Sequence, residues 1–223
     1  MSDRLRIVIA DDNYLVREGT RRLLEDSGEV EVIAAVGTPG ELLDAVDRLR
    51  PAAVIADIRM PPTHNMEGIE AAHAIRAKHP ETGVLVLSQH ADEAYAFQLL
   101  KDGTAGLAYL LKERVGDLDE LIRALRATVV GGSVIDPAVV EALIARQRRL
   151  ARSPLRELTP REMDVLREIA EGKTNAAIAS SLGVSESAVE KYANGVFSKL
   201  GLTEEHKVHR RVAAALAFLR EAR

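Results

Sequence analysis

AVIADIRMPP, residues 53–62, decides the reading of the first half of the chain. From Ala53 to Ala56 it is apolar, and its first charge is Asp57. A strand apolar on both faces belongs at the centre of a parallel sheet covered by helices on both sides. An acid at the last position of such a strand stands where the sheet opens a ligand crevice. Outward from this stretch lie four more short, β-branched runs, at Arg6 to Ala10, Val30 to Val36, Val84 to Leu87 and Leu107 to Leu111. Helix-length amphipathic stretches separate them, and one such helix opens on the capping box Thr38-Pro39-Gly40-Glu41, with proline at the first helical position. The alternation predicts an α/β fold, a doubly wound parallel sheet of five strands.

The chain has 223 residues, enough for two cores, and a domain boundary is expected. Hydrophobic residues make up 47% and charged residues 29%, with no apolar run of membrane-spanning length. The start, MSDRLRIVIADD, turns acidic too soon for a signal peptide, so the expectation is a cytoplasmic protein with no membrane partner. With no cysteine, disulfides, thiolate chemistry and zinc–thiolate sites are excluded. Residues 1–150 carry 24 acidic and 18 basic side chains, whereas residues 151–223 carry 10 and 12. So small a basic excess is weak evidence for phosphate binding, and any argument for DNA must come from pattern.

Beyond a fifth helix expected at Leu118 to Val129, Gly131-Gly132-Ser133 breaks the pattern, and Asp136-Pro137 caps another helix running to about Leu150. Residues 1–129 thus read as one domain, 130–156 as a partly helical linker with a solvated basic end at Arg146 to Arg152, and 157–223 as a second, all-α domain. In the last, Thr159-Pro160-Arg161-Glu162 is a capping box, Thr174 and Thr203 are expected N-caps, and the turn Leu182-Gly183-Val184-Ser185 hands over to a helix capped by Ser185. Short helices joined by a glycine turn suggest a helix-turn-helix.

Asp11 and Asp12 follow the first strand, Asp57 ends the third, Ser88 ends the fourth and Lys112 follows the fifth, so all five share the carboxyl edge of the sheet. Three carboxylates in one pocket need a counter-charge, and an oxygen-only donor set without His or Cys selects a hard cation such as Mg2+. A carboxylate beside Mg2+ and an ammonium is placed to attack phosphorus and form an acyl phosphate. IVIADDN (7–13), VIADIRMPP (54–62), VLVLSQH (84–90) and AYLLK (108–112) together resemble the flavodoxin-like receiver domain of two-component response regulators over the first 128 or so residues. The resemblance implies that a sensor histidine kinase phosphorylates Asp57. It further implies that Asp12 and Asp57 ligate Mg2+ directly, Asp11 through water, and the Arg59 backbone carbonyl as a further ligand. Ser88 and Lys112 would bind the phosphoryl group, and Tyr109 would rotate inward behind it. Two departures stand out: the loop Met60-Pro61-Pro62-Thr63-His64-Asn65-Met66 is longer than the family's usual turn, and Gln89 occupies a position that is usually small.

In the helix from Ser185 to Leu200, Val189, Ala193, Val196 and Leu200 make a buried face. The opposite face presents Ser187, Glu190, Lys191, Asn194 and Ser198, groups able to reach base edges and phosphates. Leu158-Thr159-Pro160-Arg161-Glu162, Ala170 to Asn175, Ile178-Ala179, Leu182 to Val189 and Lys199 to Leu202 resemble the LuxR-type helix-turn-helix, and the whole chain resembles the NarL/FixJ class of response regulators. That resemblance implies double-stranded DNA as partner, with Lys173, Thr174, Ser185, Ser187, Glu190, Lys191, Asn194 and Lys199 as DNA-binding positions. It also implies a homodimer in the active state, formed through a final helix that contains the run Val212 to Leu219. The family commonly has Lys-x-His where this chain has Glu190-Lys191-Tyr192, which implies a changed sequence preference.

Three other readings are open. In one, the regulator works without phosphorylation. In another, the chain is an aspartate-nucleophile phosphatase, against which Asp57-Ile58-Arg59 lacks an acid two residues on. In the third, the C-terminal helices form a protein-binding adaptor. His206 and His209 share a helical face but, with no third ligand in view, read as surface residues.

Overall fold

A computed structural model describes residues 4–113, 117–151, 153–202 and 209–221. The chain divides into two compact units, Met1–Ile144 and Ala145–Arg223.

The first unit alternates strand and helix: β1 (Leu5–Ala10), α1 (Tyr14–Asp26), β2 (Val30–Val36), α2 (Pro39–Leu49), β3 (Ala53–Asp57), α3 (Glu67–Lys78), β4 (Gly83–Ser88), α4 (Glu93–Leu100), β5 (Leu107–Leu111) and α5 (Leu118–Val129). A sixth strand, β6 (Val134–Ile135), follows, and all strand pairs are parallel in the order β2-β1-β3-β4-β5-β6. The pleat sends alternate residues to opposite sides, and both sides are core. Val8, Ala10, Val54, Ala56, Val84, Val86 and Tyr109 pack toward α2, α3 and α4. Ile7, Ile9, Ile55, Leu85, Leu87 and Leu110 pack against the apolar stripe of α5, including Leu121 and Leu125. Strand order reverses between β1 and β3, which is where such sheets open a crevice.

The sheet therefore has six strands, not the expected five. The added strand β6 comes from the stretch read as linker and pairs with β5 through Ala108↔Val134 and Tyr109↔Ile135. It follows Gly131, whose φ of 78° only glycine adopts readily. Asp136 then caps α6 (Pro137–Ala151), accepting from the Ala138 N–H at 2.9 Å, and Val139 is fully buried in the core of the first unit.

In the second unit a 3-10 turn at Pro154–Glu157 precedes α7 (Pro160–Ala170), α8 (Asn175–Leu182), α9 (Glu186–Lys199) and α10 (Arg210–Glu221). The capping box forms at Thr159 and Glu162, Thr174 caps α8, and Ser185 caps α9. Gly183 takes the left-handed conformation, φ 65°, that ends α8 and sets up the turn. Val165, Leu166, Ile178, Val189, Val196 and Ala214 form the core. The expected cap Thr203 and the expected surface residue His206 lie outside the described residues.

Gly68, in the first turn of α3, donates its N–H to the Ile58 carbonyl at 2.8 Å, and a Cβ there would come within 1.9 Å of the Asp57 carbonyl oxygen. Gly19, inside α1, has open space around it. Gly68→Ala should therefore cost about 1–3 kcal/mol by overpacking. Gly19→Ala should add about 0.5–1 kcal/mol of helix stability. Urea denaturation of the two variants checks both signs.

Candidate functional site

The carboxyl ends of β1 and β3 bring the acids together. Asn13 caps α1 by accepting from the Leu15 and Val16 N–H groups, and its own N–H donates to Asp11 Oδ1 at 2.9 Å, which fixes the turn carrying Asp11 and Asp12. The Arg17 guanidinium, one helical turn on, donates to the Asp11 carbonyl. Asp57 Oδ1 accepts from the Ile58 N–H at 2.9 Å. Lys112 Nζ lies 3.1 Å from Asp57 Oδ2 and 2.8 Å from Asp11 Oδ2. Ligand atoms of Asp11, Asp12 and Asp57 lie within 4.8 Å of one another, with Asp11 and Asp57 buried and Asp12 exposed.

Three carboxylates against one ammonium leave this pocket negative. Burial pushes the Asp57 carboxyl above its ordinary value, against the pull of Lys112, with the nearby Asp11 charge adding to the rise. Burial by itself would lower Lys112, but Asp11 and Asp57 more than offset it and hold the ammonium above its usual range. An all-oxygen donor set with excess negative charge fits a hard divalent cation.

The opposite wall is formed by β4 and β5. The Ser88 hydroxyl donates to the His90 carbonyl at 2.8 Å, so it is turned to its own loop. Tyr109 is wholly buried, its hydroxyl 3.5 Å from the same His90 carbonyl, and burial pushes its phenol up to about 12. Arg59 and Gln89 join across the rim through a 2.7 Å hydrogen bond.

The long loop after Asp57 is organised by Glu67, which accepts from the Thr63 N–H at 3.0 Å, the Asn65 N–H at 2.7 Å and the Thr63 hydroxyl. Burial raises this carboxyl, but those donors outweigh burial and hold it at about 2. Between the two anchored residues, His64 takes φ 54° and sets Nδ1 3.4 Å from Asp12 Oδ2. Sequence reasoning finds the longer loop but misses both roles, because Glu67 reads as an ordinary first-turn acid.

In the second unit, Ser187, Glu190, Lys191 and Asn194 stand exposed on one side of α9, opposite buried Val189, Ala193 and Val196. The other four DNA candidates are engaged within the domain. Thr174 and Ser185 spend their hydroxyls on helix caps. Lys173 pairs with Glu168 at 2.7 Å and Glu171 at 2.8 Å. Lys199 pairs at 2.6 Å with Glu162, the residue that closes the α7 capping box. Arg210 and Arg211, which sequence reasoning passes over, line a groove together with Glu190 and Asn194.

Residues 7–126 match the response regulator receiver domain, and residues 156–214 match the bacterial regulatory proteins of the luxR family. The chain is 36% identical to the transcriptional regulatory protein DegU of Brevibacillus brevis, over 91% of this chain and 90% of that one. Among solved structures, the Salmonella typhimurium RcsB response regulator, described in terms of conformational dynamism for DNA interaction, aligns with TM-score 0.66 and 25% identity, covering 97% of this chain and 100% of that one. A structure of two RcsB dimers bound to two parallel DNAs aligns with TM-score 0.59 and 25% identity, covering 99% of this chain and 100% of that one. A carboxylate crevice on a doubly wound sheet, joined to a LuxR-type helix-turn-helix, is a signalling and not a metabolic arrangement: the chain belongs to the two-component response regulators of the NarL/DegU type, transcription regulators rather than enzymes.

Proposed function

We propose that Asp57 accepts a phosphoryl group from the phosphohistidine of a sensor kinase, and that this promotes homodimerisation and binding to double-stranded DNA. The observation that supports it most is the Asp57 carboxylate at the carboxyl edge of the sheet, with one oxygen 3.1 Å from the Lys112 ammonium. An Asp57 oxygen attacks phosphorus, the P–N bond to the donor imidazole breaks, and an acyl phosphate forms. Mg2+, held by Asp11, Asp12, Asp57 and the Arg59 backbone carbonyl, would neutralise the carboxylates and the phosphoryl oxygens. Lys112 balances charge on the phosphoryl group, the Ser88 hydroxyl exchanges its His90 partner for a phosphoryl oxygen, and Tyr109 fills the space behind it. Water can use the same pocket, so the acyl phosphate hydrolyses in place.

In this reading residues 1–129 receive the signal, 157–223 bind DNA and 130–156 connect them. Ser187, Glu190, Lys191 and Asn194 meet base edges, while Lys173, Thr174, Ser185 and Lys199 set the helices against the phosphate backbone. The dimer contact uses the exposed stripe Val212, Leu216 and Leu219 of α10, each about half exposed. Since kinase domain and DNA share one compartment, the site of action is the cytoplasm. Among the described residues no helix is long and apolar enough to cross a membrane.

With Mg2+ and beryllofluoride the measured mass should double, and Asp57→Asn should stay at the monomer mass; a mass indifferent to both would leave a regulator that works without phosphorylation. Because the folded pKa of Asp57 lies above the unfolded one, its ionisation destabilises the native state. That cost appears as pH rises through the unfolded value near 4 and is complete above the raised folded value. At neutral pH without metal, Asp57→Asn should therefore melt higher than the wild type. Lys191→Ala and Asn194→Ala should each cost about 1–3 kcal/mol in operator binding while the beryllofluoride-driven mass change survives.

A further inference from the structure

A groove beside α9 is lined by Asn175 at the start of α8, Glu190, Asn194 and Phe197 of α9, and Arg210 and Arg211 at the start of α10. The two arginines meet it differently. Arg211 is used within the domain, donating to Asn175 Oδ1 at 2.7 Å and to the Lys173 carbonyl, which ties the first turn of α10 to the N-terminus of α8. Arg210 is exposed, and its guanidinium lies over the Phe197 ring, 5.3 Å from the centroid. Among the described residues no carboxylate pairs with it.

A guanidinium held against an aromatic ring keeps N–H groups for other partners, and a guanidinium can meet a phosphate with two parallel hydrogen bonds. The Phe197 ring is itself nearly buried, 8% exposed, so the platform is rigid and little side-chain freedom disappears on binding. The groove also explains why a cation is needed here. Among the described residues that line it, Glu190 is the one carboxylate, and it repels a DNA backbone unless a nearby positive charge offsets it.

We propose that Arg210, seated on Phe197, binds a backbone phosphate of double-stranded DNA beside the bases faced by Lys191 and Asn194. The register of α9 on the duplex is then set partly by the first turn of the last helix, outside the helix-turn-helix itself. This rests on the DNA-binding reading above.

The test is fluorescence anisotropy of the full chain, with Mg2+ and beryllofluoride, titrated into labelled mixed-sequence duplexes over a salt series. Arg210→Gln should weaken binding roughly threefold to tenfold on every duplex, and should reduce the slope of log affinity against log salt by about 0.9 for each phosphate that is no longer neutralised. Arg210→Lys should keep the slope. Phe197→Leu, which retains an apolar side chain in the core, should weaken binding in the same sequence-independent way, with thermal melting reporting on its fold. If Lys191→Gln lowers affinity and slope while Arg210→Gln changes neither, the phosphate-binding role of Arg210 is overturned and the DNA-binding reading stands. If the wild-type chain binds no duplex, both fall together.

Discussion

Mutual repulsion among three carboxylates at one end of a sheet is the constraint around which the receiver is arranged. Asp11 and Asp57 are buried, and neither can rotate away, because each is pinned by a backbone N–H and by Lys112. Loss of Lys112 would strand two buried carboxylates, so β1, β3 and β5 are coupled through one ammonium as well as through their ladders. The parallel sheet makes this possible: helices on both faces cover the core, and the acids stand at its carboxyl edge, where the crevice opens. A pocket held together against its own charge responds strongly when a cation and a phosphoryl group change that charge.

Much of this is legible in the sequence, for a definite reason. Strands apolar on both faces announce a central parallel sheet, and once Asp11, Asp57, Ser88 and Lys112 sit at strand ends their convergence follows from topology alone. The capping residues Thr159, Thr174 and Ser185 are equally readable, since a cap depends on neighbours three residues away. β6 is not readable, because two residues after a Gly-Gly break carry no periodicity. Lys199 shows the limit at long range: its partner Glu162 lies 37 positions away, and no local pattern announces the pair. His64 is hidden for a related reason, its position being set by how Glu67 gathers the loop around it.

Glu162 shows how economically the second unit is stiffened. One carboxylate closes the capping box of α7 and holds Lys199 at the end of α9, and Gly195 in α9 leaves room for it, since a Cβ there would lie 2.4 Å from Glu162 Oε1. Helix α9 is therefore clamped to its scaffold at its C-terminal half, and the domain is a preformed body that would give up little disorder on binding a duplex.

The sixth strand places the beginning of the connecting segment against the residue that backs the phosphoryl pocket. Tyr109 pairs with Ile135, and the Tyr109 carbonyl accepts from the N–H of Asp136, the same residue whose carboxylate starts α6. Side chain and main chain of Tyr109 thus face two audiences: the ring fills the pocket wall, and the peptide group anchors the outgoing helix. β5 and the first turn of α6 are thus joined by consecutive hydrogen bonds with no loop between them, a joint and not a tether.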